Sequence, residues 1–245
     1  MAKTKSKYTD EVVLAYSGNY QKGREGNKIS KITIHHMAGV MSGKQCAKIF
    51  QKKGRYASAN YCIGVKGDIV CNVYEEDRAY TSSSKWNDLR AITIEVSNNK
   101  TGGKWTVSDA SYKSLIKLCV DICRRYGFRL NYNKKKTGSL TMHCYYASTA
   151  CPGAYLKSKF PDIEKEVNAK LDDSNVFKPY KVIVTAKDGL NVREEPTTNS
   201  KIITTLKKGK TCTILEEKKG WGKIKIKVAD KMRTGWIFLK YTKRK

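Results

Sequence analysis

Two kinds of hydrophobic spacing divide the chain. Up to Leu171, short β-branched runs alternate with stretches of helical period, whereas beyond it only short alternating runs remain. Lys31–Ile34 and Ala91–Val96 (AITIEV) read as strands. Asn60–Val65 and Ile69–Tyr74 flank a Lys66-Gly67-Asp68 turn and read as a hairpin. Ser42 is placed to cap a helix ending near Gly54. Apolar residues at Tyr112, Leu115, Ile116, Cys119, Ile122, Cys123 and Tyr126 form a helical stripe, with Ser108 as its N-cap and Gly127 as its stop. Pro161 suits the first residue of a last helix through Leu171.

Residues 172–179 (DDSNVFKP) then read as a linker between a domain over 1–171 and a second over 180–245. The second shows strand patterns at Val182–Thr185, Leu190–Arg193, Ile202–Leu206, Thr211–Leu215, Gly222–Val228 and Gly235–Leu239. Turn signals at Asp188-Gly189, Glu195-Pro196, Lys208-Gly209 and Lys219-Gly220 separate them, which predicts a small all-β barrel. The first domain mixes strands with helices and predicts an α/β mixed sheet with surrounding helices.

Charge narrows the partners. The 245 residues carry 49 Lys and Arg against 22 Asp and Glu, a net +27, so the protein should be drawn to a polyanion: nucleic acid, an anionic membrane or an acidic wall polymer. No apolar run approaches the ~18–20 residues of a membrane span, so membrane insertion is not expected. The N-terminus (MAKTKSKYTDEVVLAYS) has no apolar h-region, which predicts synthesis in the cytoplasm and release by a route other than a secretory signal. The eight cysteines are too dilute for a disulfide scaffold, and Cys119 and Cys123, one helical turn apart on the apolar face, read as buried thiols.

All three histidines fall in two compact motifs, ITIHHMAG over 32–39 and HCYYASTACPG over 143–153, the second of which also brings Cys151. A catalytic zinc takes about three protein ligands from His, Cys or carboxylate and leaves a position for water. On the first strand His35 shares its face with Thr33, while His36 lies on the side of Ile32 and Ile34, so His35 is the better ligand.

Four runs in order, ITIHHMAG, SANYCIGVKGDIV, AITIEVSNN and MHCYYASTACPG, resemble the zinc-dependent N-acetylmuramoyl-L-alanine amidases of the peptidoglycan-recognition type, phage endolysins included. The resemblance spans Ile32 to Leu171 and implies a mixed central sheet with helices around it. It aligns His35, His143 and Cys151 with the zinc ligands, Tyr61 with the active-site tyrosine, and Glu95 with the carboxylate of many phage and bacterial members. Thr149 falls where some members have Lys and others Thr. The implied reaction is hydrolysis of the amide between N-acetylmuramic acid and L-alanine. Glu95 would shuttle a proton from water to the departing amine, and Tyr61 and Thr149 would donate to the oxyanion. The residues themselves support Glu95, because a carboxylate inside a β-branched strand is costly without a cationic or metal-bound partner.

Beyond the linker, VTAKDGLNVR, the Gly220-Trp221-Gly222 run and the closing GWIFLKY resemble bacterial SH3-like wall-binding domains, over about Tyr180 to Tyr241. Peptidoglycan is the partner this implies, with anionic wall polymers as a second attractor for the charge. Trp221 and Trp236 fit either a ligand platform or barrel core. Two other readings compete. In a non-catalytic wall receptor the zinc cysteine is commonly lost, but Cys151 is present. A nucleic-acid binder rests on charge alone, shows none of the usual motifs, and is not expected.

Overall fold

A computed structural model describes residues 3–173, 177 and 179–245. The chain divides into two compact units, Met1–Asp173 and Ser174–Lys245. The expected linker over 172–179 is only partly within reach, since 174–176 and 178 lie outside the described residues.

The first unit runs β1 (Glu11–Val12), β2 (Tyr20–Gln21), β3 (Lys31–His36), α1 (Gly43–Ile49), β4 (Tyr61–Ile63), β5 (Ile69–Cys71), β6 (Arg78–Ala79), α2 (Lys85–Asp88), β7 (Ala91–Val96), α3 (Asp109–Tyr126), β8 (Leu140–Met142) and α4 (Gly153–Asp173). Six strands form one sheet in the order β1-β5-β4-β7-β3-β8. β3 lies parallel to both β7 and β8, and β4 parallel to β7, while β4 and β5 make the predicted antiparallel hairpin.

Each face of the sheet is covered by a helix whose ends are chemically specified. Helix α3 begins where the Ser108 hydroxyl accepts the Ser111 N–H and stops at Gly127, which takes the left-handed conformation that only glycine adopts without penalty. Its Leu115, Ile116, Cys119, Ile122 and Cys123 are buried with Ile32, Ile34, Ile92, Ile94 and, from α4, Phe160 and Ile163. Helix α1 opens on a reciprocal Ser42–Gln45 capping box and packs Cys46 and Ala47 against Cys62 and Val70 on the opposite face.

Three helix boundaries depart from the sequence pattern. Helix α1 ends at Ile49 rather than near Gly54. Helix α4 starts at Gly153, eight residues before Pro161, and takes in Asp172 and Asp173, which the pattern assigned to the linker. The buried stripe Leu156, Phe160, Ile163, Val167 and Leu171 crosses the proline, so burial outweighs the hydrogen bond that Pro161 cannot make. Among the described residues no helix is long and apolar enough to cross a membrane.

The second unit is all β: β9 (Tyr180–Val184), β10 (Leu190–Arg193), β11 (Ile202–Leu206), β12 (Thr211–Ile214), β13 (Glu216–Lys218), β14 (Trp221–Val228), β15 (Lys231–Phe238) and β16 (Thr242–Arg244). A five-stranded sheet, β11-β10-β15-β14-β13, packs with a three-stranded one, β12-β9-β16, around Val182, Val184, Leu190, Val192, Ile214, Ile224 and Ile237. Strand β15 starts four residues earlier than its pattern suggests. The turn before it is Ala229-Asp230, both with positive φ, so the hairpin lacks the glycine that marks such turns in sequence. β13 and β16 were missed because they are short, charged edge strands.

Candidate metal centre

The parallel register builds the site. His35 on β3 stands beside Glu95 on β7, so both project from the same face near the carboxyl ends of their strands. His143 follows β8 directly, and Cys151 lies just before α4. Elements far apart in sequence thus deliver two imidazoles, a thiol and a carboxylate to one end of the sheet.

The donor atoms of His35, His143 and Cys151 all lie within 4.8 Å of one another. The His35 and His143 ring centroids are 4.7 Å apart, and Cys151 Sγ is 3.7 Å from His35 Nδ1. Nε2 of both histidines is buried with no hydrogen-bond partner, an arrangement that calls for a ligand on those lone pairs. Burial holds the His35 pKa well below the ordinary imidazole range, with the neighbouring His143 and His36 adding to the effect, and burial lowers His143 as well. Both rings are therefore neutral and able to coordinate. Burial, followed by the charge of Glu95, pushes the Cys151 thiol up, so metal capture at this site would release a proton. Two imidazoles and one thiolate form a borderline-soft set that suits zinc.

Glu95 sits in its strand without the cationic partner that its apolar flanks call for. Its Oε2 is buried without a partner, and burial alone pushes its pKa up to about 8. Thr149 is exposed in the loop before Cys151, where its hydroxyl accepts the Cys151 N–H at 3.2 Å.

Tyr61 does not join them. Strand alternation turns it to the opposite face from its neighbour Cys62, which is the register partner of Glu95. The side chain is fully buried among the α3–α4 core; its hydroxyl donates to Glu75 and accepts the Ser6 N–H at 2.6 Å. Arg125 and Tyr126, at the end of α3, complete the shell around the fully buried Glu75. The tyrosine expected at the active site is a core anchor for the N-terminal segment.

Two supports escaped the sequence reading. The first is a layer of threonines beneath the site. Thr33, Thr93 and Thr141 each precede a site residue by two positions and so share its face. Thr33 and Thr141 hydroxyls lie 2.9 Å apart, Asn87 Nδ2 donates to Thr33 at 2.9 Å, and Thr93 meets Thr81 at 2.8 Å. The signal was present as three triplets, Thr-Ile-His, Thr-Ile-Glu and Thr-Met-His, on three adjacent strands. The second support is a wedge behind Cys151. His36 meets Trp105 edge-on at 5.2 Å, and both crowd Gly153, where a Cβ would come within 3.0 Å of Trp105 and 3.3 Å of the His36 ring.

Fold and site together define a mixed α/β unit with a His-His-Cys group able to hold a metal ion, followed by an all-β module. The sequence signature described as N-acetylmuramoyl-L-alanine amidase matches residues 25–154, more than half of the chain, and one described as a bacterial SH3 domain matches 188–243. The chain belongs to the N-acetylmuramoyl-L-alanine amidase family, and peptidoglycan is the substrate of that activity. No curated protein matches it. Among solved structures it is similar in fold to PlyL, with 14% identity over 64% of this chain and 95% of that one and a TM-score of 0.52. A mutant endolysin from Bacillus subtilis (15% identity, 65% and 99% covered, TM-score 0.52) and the PlyG catalytic domain (15% identity, 66% and 94% covered, TM-score 0.52) are similar to the same degree.

Proposed function

We propose that the enzyme cleaves the amide joining N-acetylmuramic acid to the L-alanine of the stem peptide, with zinc held by His35, His143 and Cys151. The observation that carries this reading is the convergence of two partnerless imidazole nitrogens and one thiol beside a half-buried carboxylate whose Oε2 is buried without a partner. A bound zinc ion would supply Lewis acidity and acidify water toward neutral pH. Glu95 accepts the proton from the attacking water and delivers it to the departing alanine nitrogen, as general base and then general acid. A carboxyl raised toward neutral pH by burial is suited to both transfers. The Thr149 hydroxyl, which accepts the Cys151 N–H, donates its proton to the oxygen of the attacked carbonyl in this reading. The SH3-like unit delivers this chemistry to the bacterial cell wall, where the protein acts after release, and the basic surface adds attraction to anionic wall polymers.

Metal analysis of the purified protein with mass spectrometry of a peptidoglycan digest tests the proposal. One zinc per chain and new amino-terminal alanine without new reducing sugar ends are expected. Glu95→Gln should keep the zinc and lose turnover by about 10²–10⁴-fold. Full activity in that variant removes Glu95 from the reaction, and a digest rich in reducing ends would replace the amidase with a glycosidase.

A further inference from the structure

At the β1 edge of the six-stranded sheet, the first unit carries a surface that the reaction does not use. Alternation along residues 12–16 turns Val13 and Ala15 into the apolar cluster beneath α1 and leaves Val12, Leu14 and Tyr16 facing outward. Helix α1 lies alongside this segment. Lys44 Nζ is 2.7 Å from Glu11 Oε1, Gln51 Nε2 donates to the Leu14 carbonyl at 3.2 Å, and the Tyr16 N–H donates to the Phe50 carbonyl at 3.0 Å. Asn19 ties in the loop after the helix. Its Nδ2 donates to the Phe50 and Lys52 carbonyls at 2.7 and 2.8 Å, and its Oδ1 accepts the Tyr56 N–H at 2.9 Å. Ile49 on the helix and Tyr56 on the loop thereby join the three outward residues, with exposures from 36% at Val12 to 77% at Tyr56. Apolar side chains standing singly on a surface are ordinary, but five held together by one set of hydrogen bonds mark a contact face.

The charge around this face has one sign. Residues 44–55 carry Lys44, Lys48, Lys52, Lys53 and Arg55 and no acidic residue. Glu11 answers Lys44, whereas the other four are exposed and make no ion pair among the described residues. A second copy of the chain, docked about a two-fold axis, would bring these cations against their own kind. A soluble polyphosphate would satisfy the cations and leave the aliphatic and aromatic side chains in water. A bilayer with anionic headgroups satisfies both halves, because cations meet its phosphates while tyrosines and aliphatic residues enter the boundary beneath them.

We propose that this face docks the protein peripherally onto a membrane surface bearing anionic phospholipid, with no segment spanning the bilayer. The four unpaired cations take the headgroup phosphates, and the five outward apolar side chains enter the boundary between headgroups and acyl chains. None of the metal-centre residues takes part, so the docking stands apart from the identity of the bond that the enzyme cleaves.

Flotation of the full-length protein with vesicles of phosphatidylcholine, alone or mixed with phosphatidylglycerol, tests this docking. Binding to the mixed vesicles is expected. It should fall about tenfold in the double variant Leu14→Ser, Ile49→Ser and about tenfold in the double variant Lys48→Gln, Lys52→Gln. The serine pair is the sharper probe, since it leaves the net charge of +27 intact and so separates docking at this face from attraction by charge alone. All four positions are exposed, so both double variants should melt like the wild type and hydrolyse a soluble muramyl peptide at the wild-type rate. If one pair unfolds, Tyr56→Ser replaces it at the most exposed position of the patch. Failure of the mixed vesicles to float the wild type overturns the docking, as does wild-type binding by either folded double variant. A tenfold loss of soluble poly(glycerol phosphate) binding in the serine pair would assign the face to a wall polymer instead. A wild-type dimer in sedimentation velocity that the serine pair dissociates would assign it to a second copy.

Discussion

Glu75 and Glu95 show how one residue type takes opposite roles in the same sheet unit. Glu75 is fully buried yet surrounded by donors from Tyr61, Arg125 and Tyr126, so it acts as a structural knot. Glu95 has its Oε2 buried without a partner, a condition that is costly for folding and useful for proton transfer. Tyr61→Phe separates the two roles. Removing the hydroxyl leaves the Ser6 N–H without its acceptor and Glu75 short of a donor, so a loss of about 1–3 kcal/mol is expected in chemical denaturation. Turnover measured well below the unfolding transition should stay at the wild-type level, and a large fall in kcat would return Tyr61 to the reaction. At this scale the candidate group of His35, His143 and Cys151 was readable because the chain has only three histidines and places them in two tight motifs. The role of Tyr61 was not readable, because an aligned residue type says nothing about which face of a strand it occupies, and a shift of one position reverses that face.

Among the elements, the caps were written in plain local chemistry. Ser42 with Gln45, and Ser108 with Gly127, mark helix ends that depend on a few neighbouring atoms, and both helices begin where those residues say. The start of α4 was hidden because it depends on packing across the whole unit. There Gly153 has φ +83 and sits against Trp105 and His36, directly after Cys151 and Pro152. Gly153→Ala should force that wedge apart and displace the Cys151 turn. The expected result is a lower melting temperature together with about a 10–100-fold loss of zinc affinity in chelator competition. Unchanged zinc affinity would show that the turn is held by other contacts. The threonine layer has the same lesson in reverse. Three Thr-aliphatic-donor triplets were visible, but only parallel pairing in register makes them neighbours and turns them into a hydrogen-bonded floor.

For the whole molecule, charge is the dominant quantity. A net +27, with 19 Lys and Arg against seven acids in residues 173–245, underlies the proposed long-range attraction to anionic wall polymers. Raising salt from ~0.05 M to ~0.5 M shortens the screening length severalfold. Co-sedimentation with intact walls should therefore weaken markedly, while hydrolysis of a soluble muramyl peptide changes little. Equal salt sensitivity of both would mean that charge acts at the catalytic centre and not in targeting. What the sequence determined by itself was local or additive: charge, cap chemistry, the change from helical to alternating period after Leu171, and the inventory of metal-capable side chains. What only the tertiary structure decided was adjacency: which face Tyr61 occupies, that Glu95 stands beside His35, and that His36, Trp105 and Gly153 brace Cys151. Those relations depend on strand register and long-range burial, and no window along a chain contains them.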